Sequence, residues 1–553
     1  RPICLSSFFC KGFERIIHWD LTDKELRTKL HRNIFSYREG IGCEDAIHSL
    51  VSRIEKALEQ WDYCVVLFND MSAAFSSASI NGMLRTLQKI GAPVQTVRWT
   101  EHMLRNRKVT AFINGESATK TTNRGTPQGG AGSPNKWNVL EDDLQDRFPP
   151  NHPTIINVYA DDTHDISVGK DEQYCVDNLQ YDIGIMEEWA QDHGLAFNAE
   201  KTKVMMFTRR KKCKKPDLFM YGKKIEWVSE YKYLGVTITE DLDWLTHITK
   251  TAQKATFTMM NCKKMMSKTW GTGPKVSRWM YMSLVRPIMM YAGMIWIKSL
   301  GMPSHVKILE KVQRRGCLAI LNAIHTTPTA GMEVMLNIPP IEIYIMEQAI
   351  NTYKRLIANG NWKIQEGQLF NPKSHAVIMM KMTKDLELLK VPRDKLINTE
   401  FIPTGFITEI KSREEMNSEK RIPGRVQANK ISCFTDGSKF GDSSGYGYII
   451  RGASIMQQGF YNLGKLTTVY QAELIAIQEA AYIMLIKEVR NKDIVFYVDN
   501  QAAIKTLGSY LIKSKVAAEC KRMVNKLAEY NEVKIMWIPG HSGHMGNEVA
   551  DRL

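Results

Sequence analysis

Apolar and polar positions follow two different periods along this chain, and the changes of period divide it. Leu50, Ile54 and Leu58 recur at helical spacing and predict an amphipathic helix ending near Trp61. The apolar run 63–68 that follows predicts a buried strand, with Asp70 just past its end. The stretch 155–165, Ile-Ile-Asn-Val-Tyr-Ala-Asp-Asp-Thr-His-Asp, has the same form, since β-branched apolar residues break into Asp161 and Asp162. Residues 123–135 hold four glycines in thirteen positions, ahead of a predicted helix over 136–144. From Trp244 to about Leu300 the period is helical and rich in Met, with Trp270, Trp279 and Trp296, a pattern of apolar core. Residues 412–430 are charged and punctuated by Pro and Gly, the composition of a linker. Beyond them short strands are predicted at 431–434, 448–450 and 494–498, with a helix over 471–486 whose positions 474, 477, 481 and 485 form one stripe.

Length and charge narrow the class. At 553 residues the chain exceeds one core, and a length prior gives about three or four domains. With 74 Lys plus Arg against 59 Asp plus Glu, the net charge of +15 favours polyanionic partners, nucleic acid before anionic membrane or acidic substrates. Residues 209–215 place six cations in seven positions. Such a block is a solvated loop that could also touch phosphates, and a nuclear-targeting role stays open. Ten cysteines are scattered from Cys4 to Cys520 without Cys-x-x-Cys pairs or zinc spacing, which suits reduced thiols in an intracellular protein. No uninterrupted apolar run looks long enough to span a bilayer; 284–296 is broken by Arg286 and Pro287. The chain opens at Arg1 inside patterned sequence and reads as a fragment.

The candidate chemistry sits at predicted strand ends. Adjacent carboxylates repel, so Asp161 beside Asp162 near apolar surface suggests a neutralising cation; an exposed polar turn is the plainer alternative. Because side chains alternate along a strand, one of the pair, Asp161, is expected to face a shared metal squarely. Asp70 supplies a second hard oxygen ligand from another strand, as a divalent pair for phosphoryl transfer needs. The glycine-rich stretch lets backbone approach a ligand closely ahead of a helix amino terminus, or is simply a turn.

Together three stretches carry a resemblance. Phe-Asn-Asp-Met-Ser-Ala-Ala-Phe, then Gly-Thr-Pro-Gln-Gly-Gly-Ala-Gly-Ser-Pro, then Tyr-Ala-Asp-Asp, in that order, resemble the palm motifs of reverse transcriptases of non-LTR (LINE-type) retrotransposons. Arg1-Pro2-Ile3, Phe13-Glu14-Arg15 and Tyr37-Arg38-Glu39-Gly40 are similar to that family's fingers. Gly194-Leu195 with Asn198 and Lys201-Thr202, and Tyr233-Leu234-Gly235-Val236, are similar to the motifs that close the palm. The resemblance implies Asp70, Asp161 and Asp162 as metal-binding carboxylates and Phe75 as the aromatic floor beneath the incoming sugar. It also implies Gln128 and Gly129 near the nucleotide, and Lys201 as a palm lysine. Ser76 departs from the Asp or Asn that usually follows the Ala-Phe pair. A helical thumb and connection would follow over 241–400, and Gln313-Arg314-Arg315 with Thr326-Thr327-Pro328-Thr329 resembles the segment after the palm.

A second resemblance covers residues 431–553. Thr-Asp-Gly-Ser, Gln-Ala-Glu-Leu, Val-Asp-Asn-Gln-Ala-Ala and Pro-Gly-His-Ser-Gly are similar to type 1 ribonuclease H. It implies metal ligation by Asp436, Glu473, Asp499 and Asp551, with His541 assisting proton transfer or product release. The expected fold is a multidomain α+β and α/β chain: fingers and palm over 1–240, thumb and connection over 241–400, a linker over 401–430, and a ribonuclease H-like mixed-sheet domain over 431–553. The implied activities are RNA-directed DNA polymerase and endoribonuclease on RNA–DNA hybrids. Their implied cofactor is Mg²⁺, two ions per site with Mn²⁺ as substitute, and their implied partners are RNA template, DNA primer, RNA–DNA hybrid and deoxynucleoside triphosphates, without a membrane. Nucleus and cytoplasm are the expected location. Two alternatives stay open at this stage: an inactive retrotransposon relic that only binds nucleic acid, and an LTR or retroviral-type polymerase.

Overall fold

The helix predicted from Leu50, Ile54 and Leu58 runs Cys43–Glu59 (α1), with Ile47, Leu50, Val51 and Ile54 fully buried. Asp45 caps its start by accepting from the Gly42 N–H at 2.9 Å. These coordinates form a computed structural model that describes residues 3–21, 29–38, 40–72, 74–211, 213–265, 271–362, 371–383, 396–411, 429–441, 443–453, 455–540 and 549–550. The chain folds as two units, Arg1–Lys384 and Asp385–Leu553.

The first unit is built on β1 (Tyr63–Asp70), β2 (Thr154–Tyr159), β3 (Asp162–Gly169), β4 (Lys203–Phe207) and β5 (Glu226–Trp227), in the order β2-β3-β1-β4-β5. Strand β1 reads as a continuous apolar run because both its faces are covered. Val65 and Leu67 pack with Trp137 and Leu140 of α2 (Ser133–Gln145) and with Leu179, Ile183 and Trp189 of α3 (Glu172–Asp192). On the other face Phe68 stacks on Tyr231 at 4.2 Å between ring centroids.

The Met-rich stretch from Trp244 is helical as expected over Leu245–Lys263 (α4), Pro274–Met280 and Arg286–Met290, and α5 (Pro303–Leu321) and α6 (Ile341–Ala358) follow it. Arg286, the charge that interrupts the apolar run, is fully buried because its guanidinium donates to the Pro339 carbonyl at 2.7 Å and lies on the Tyr344 ring at 3.8 Å. Arg314 clamps the loop after α5, donating to the His325 and Thr327 carbonyls and the Thr329 hydroxyl. Helix α6 is tied to α1 by Arg355, which donates to Asp45 at 2.6 Å and Glu44 at 3.3 Å.

The second unit is a mixed sheet of β6 (Ile407–Glu409), β7 (Lys430–Phe440), β8 (Ser443–Gly452), β9 (Met456–Gly464), β10 (Asp493–Val498) and β11 (Glu532–Trp537), in the order β6-β11-β10-β7-β8-β9. Pairings from β6 to β7 are parallel, and those of β7, β8 and β9 are antiparallel. Helices α7 (Val469–Ile486), α8 (Gln501–Gly508) and α9 (Lys515–Ala528) complete it.

Three expectations are corrected here. The strand ending at 434 continues through Gly437 to Phe440, because the glycines read as a turn sit inside the β7–β8 pairing, with Asp436 opposite Gly447 and Ser438 opposite Gly445. The boundaries at 400 and 430 shift, because Leu396–Phe401 pairs with Leu511–Ser514 and β6 pairs with β11, all within the second unit. Helix α7 does meet the length and apolarity of a membrane span, over 18 residues at mean hydropathy 1.2. It buries Leu474, Ile477, Ala480, Ala481 and Met484 in the unit's own core, which accounts for its apolarity.

The Asp45 carboxylate is inaccessible while Arg355 is a third exposed. Arg355→Ala should therefore destabilise the first unit by about 2 kcal/mol, seen as a lower urea midpoint with unchanged slope.

Candidate active site

Strands β1 and β3 pair without a shift from Tyr63–Gly169 to Asp70–Asp162, so Asp70 and Asp162 stand opposite each other at one edge. Tyr159 pairs with Asp162, leaving Ala160 and Asp161 as a two-residue connection. Ala160 takes a left-handed φ of 56°, a conformation that costs a residue with a Cβ. The buried Trp137 indole holds this turn, donating to the Ala160 carbonyl at 2.9 Å. Asp70 is fixed by its backbone: its N–H donates to Thr202 Oγ1 at 3.3 Å and its carbonyl accepts from Asn198 N–H at 2.8 Å.

A cavity of about 590 Å³ opens on this edge, lined by Asp70, Asp161, Phe75, Ser76, Gln128 and Lys201 among others. Asp162 is exposed and does not line it; the Tyr231 phenol is pushed up to about 12 by burial and then by the charges of Asp162 and Asp70. Phe75 packs on Trp137 at 5.1 Å. Gly125, at φ +67°, passes so close beneath Phe75 that a Cβ would lie 2.4 Å from its carbonyl oxygen. Gly129, at φ +98°, lies beside Ile3, and the Gln128 carbonyl accepts from Cys4 N–H at 2.8 Å. Glu14 also braces this loop, accepting from Ala131 N–H at 3.1 Å. The glycine-rich stretch is thus a packed floor. A larger cavity of about 890 Å³ among the helices of 256–325 has no carboxylate in its lining.

The pattern of the sequence did not point to Arg107 and Arg124, which also line the carboxylate cavity. Arg107 opens a hairpin, Arg107–Ile113 with Glu116–Thr122, and donates to the carbonyls of Gly125 and Arg124. Burial lowers its pKa, and its Nε has no hydrogen-bond partner among the described residues. Their approach to Asp70 depends on hairpin placement, for which local pattern carries no signal.

Two buried acids stand apart from this arrangement. Glu141, one helical turn beyond Trp137, is fully buried with neither oxygen hydrogen-bonded among the described residues. Burial, and then the Asp161 charge, push its pKa up to about 8. Asp165 is equally buried beside Asp182, and burial and that neighbour raise its pKa well above the carboxylate range. Asp182 in turn pairs with His152.

In the second unit the parallel pairing of β7 and β10 ends at Thr435 and Val498. Asp436, within β7, and Asp499, just past β10, therefore stand side by side where that pairing ends. Glu473 reaches them from the first turns of α7, whose start is fixed by a capping box of Thr468 and Gln471. Gly437 permits the approach, since a Cβ there would lie 2.7 Å from the Glu473 nitrogen. Asp499 is seated by Trp537, whose indole donates to its carbonyl at 2.9 Å, and by the Asn500 side chain, which caps α8.

Ligand oxygens of Asp436, Glu473 and Asp499 lie within 4.8 Å of one another. Burial, then the charges of Asp499 and Asp436, push Glu473 up to about 10, and its Oε2 lacks a hydrogen-bond partner among the described residues. A buried set of hard oxygens with one orphaned atom fits a divalent cation. Among the described residues Asp70, Asp161 and Asp162 do not close to that spacing, and the Lys201 ammonium lies 3.6 Å from Asp70 Oδ2. His541 and Asp551 lie outside the described residues.

Comparison with known proteins gives these two edges a class. Residues 1–238 match the family described as reverse transcriptase (RNA-dependent DNA polymerase), and residues 428–553 match RNase H. The chain thus carries a reverse transcriptase domain followed by an RNase H domain, families that use divalent metals. It is 26% identical over 343 residues to a 115 kDa protein of the type-1 retrotransposable element R1DM of Drosophila melanogaster, covering 62% of this chain and 33% of that one. It is 25% identical over 370 residues to the RNA-directed DNA polymerase from the mobile element jockey of the same species, covering 65% and 40%. A solved RNase H1 from Halobacterium salinarum is 20% identical, covering 22% of this chain and 93% of that chain at a TM-score of 0.19. The chain is similar to these proteins of non-LTR retrotransposable elements, and spans a third to two-fifths of these curated relatives.

Two outcomes follow from the buried acids. A folded pKa near 10 means that Glu473 takes up a proton on folding at neutral pH. Without metal, the second unit should therefore lose stability as pH rises from about 5 to about 10, by of order 1 kcal/mol per pH unit. Urea midpoints between pH 6 and 9 should fall for the native chain and fall less for Glu473→Gln. Replacing Glu141 by Leu removes an unpartnered buried carboxyl and should raise the first unit's urea midpoint.

Proposed function

We propose that the chain is an RNA-directed DNA polymerase coupled to a ribonuclease H, with residues 1–240 as fingers and palm and the helices that follow as thumb. The observation that carries this reading is the cavity where Asp70 and Asp161 meet Phe75, Gln128 and Lys201. The RNA template, the DNA primer and a deoxynucleoside triphosphate are its substrates. Asp70 and Asp161 present hard oxygens toward the cavity, and Asp162 supports them from the neighbouring strand position. Phe75 floors the sugar, where an extra hydroxyl would meet the ring. Arg107, Arg124 and Lys201 oppose the triphosphate charge, and Gln128 with Gly129 bounds the base. Two Mg²⁺ ions, with Mn²⁺ as substitute, would lower the pKa of the primer hydroxyl and stabilise the leaving pyrophosphate.

In the second unit Asp436, Glu473 and Asp499 would hold the same ions against an RNA phosphodiester. A hybrid there is recognised by shape, phosphates and the 2′-hydroxyl rather than by base sequence. A second reading, an element that has lost activity, is favoured by Glu141, an acid buried in the first unit's core without a hydrogen-bond partner among the described residues.

The test is Mg²⁺-dependent dTTP incorporation on poly(rA)/oligo(dT). The native chain should incorporate and Asp161→Ala should fall by at least about a hundredfold. Asp436→Asn should keep incorporation while losing release of labelled RNA from a hybrid. No incorporation by a folded native chain would favour the inactive reading.

A further inference from the structure

The cationic block 209–215 lies at the end of the first unit's sheet remote from Asp70. Strand β1 begins at Tyr63, opposite Gly169 of β3, and Cys64 stands opposite Phe207, the last residue of β4. Seven residues separate that end from Asp70, about 23 Å at ~3.3 Å per residue. The block is not a free tether. Arg210 donates twice to the Trp61 carbonyl, at 3.2 and 3.1 Å, and packs on the Tyr63 ring at 4.7 Å. Lys214 N–H donates to Glu172 at 2.9 Å, and Lys215 pairs with Glu240 at 3.6 Å. Lys170 joins the patch, paired with Asp62 and donating to the Gln60 carbonyl. The neighbouring acids Asp62, Glu172 and Glu240 are all engaged. Arg209, Lys211 and Lys214 are exposed and form no ion pair among the described residues.

A second observation comes from Trp61. It is 56% exposed and holds a left-handed φ of 56° at the end of α1, a position where glycine or asparagine is the low-cost choice. Exposing a large apolar ring in a strained conformation contributes little to the fold. Arg209 lies over that ring at 6.0 Å. An exposed aromatic ring bordered by unpaired cations is the construction that binds single-stranded nucleic acid, with the ring taking a base and the cations taking successive phosphates.

We propose that Trp61 with Arg209, Lys211 and Lys214 forms a binding site for a single-stranded nucleic-acid segment, separate from the catalytic cavity. An acidic protein partner would use the cations and leave Trp61 without a role. The anchoring of Arg210 also holds the block against the sheet, whereas a transport receptor reads an extended basic segment.

The test is fluorescence anisotropy of a labelled twelve-nucleotide oligo(rU) with the full chain, without divalent metal or nucleotide, from 50 to 200 mM salt. Two variants keep the fold. Arg209→Glu/Lys211→Glu/Lys214→Glu changes exposed side chains only, and Trp61→Gly suits the positive φ and should not lower the urea midpoint. The triple variant should weaken binding at least about tenfold and reduce the salt slope by about two, as loss of three phosphate contacts requires. Trp61→Gly should weaken binding about tenfold with little change in slope. A 4-thiouridine probe should crosslink to the peptide containing Trp61. Binding unchanged in Trp61→Gly, or displacement by polyglutamate as effective as by unlabelled oligo(rU), would overturn the proposal in favour of an acidic partner. Binding unchanged in both variants would overturn it outright.

Discussion

Like-charged carboxylates must be brought to one edge of a sheet, and much of this protein can be read as the structure that holds them there. In the first unit the constraint is the register of β1 against β3, which seats Asp70 opposite Asp162 and throws Asp161 into the connection. The Trp137 indole and the left-handed Ala160 hold that connection. A shift of one residue would turn every side chain of β3 to the other face and dismantle the cavity. In the second unit the equivalent constraint is the point where the parallel pairing of β7 and β10 ends, closed by a helix start that Gly437 lets approach.

The two sites resolve the same repulsion differently. Lys201 stands beside Asp70, so the first site sets a cation against one of its acids, while Asp70 and Asp162 share one face of the sheet edge with Tyr231. The second packs its acids within 4.8 Å and neutralises Glu473 by holding its proton. Glu141 and Asp165 add further buried acids to the first unit's core without serving either edge.

Asp70, Asp161, Asp436 and Asp499 were legible in the sequence because each follows an apolar run, and apolar runs are what period detects; Glu473, inside a helix, came from the resemblance alone. Strand β10 and the end of helix α1 were read within two residues for the same reason, while the start of α1 at Cys43, seven residues before Leu50, was not read. Long-range pairing was not legible. Leu396–Phe401 and Ile407–Glu409 are short and irregular in pattern, and become strands only through partners more than a hundred residues away. The glycines at 437 and 445 mimic a turn, although they serve close packing within strands. Arg107, Arg124 and Glu141 are single residues whose meaning comes from what the fold sets beside them.

The claim at the centre of this account is that the chain has two distinct carboxylate sites for divalent cations. The most direct measurement is a Mn²⁺ titration of the full chain followed by electron paramagnetic resonance of the free ion. The native chain should show two classes of bound Mn²⁺, with Asp161→Ala removing one and Asp436→Asn the other. Bound Mn²⁺ left unchanged by either substitution in a folded chain would contradict the account.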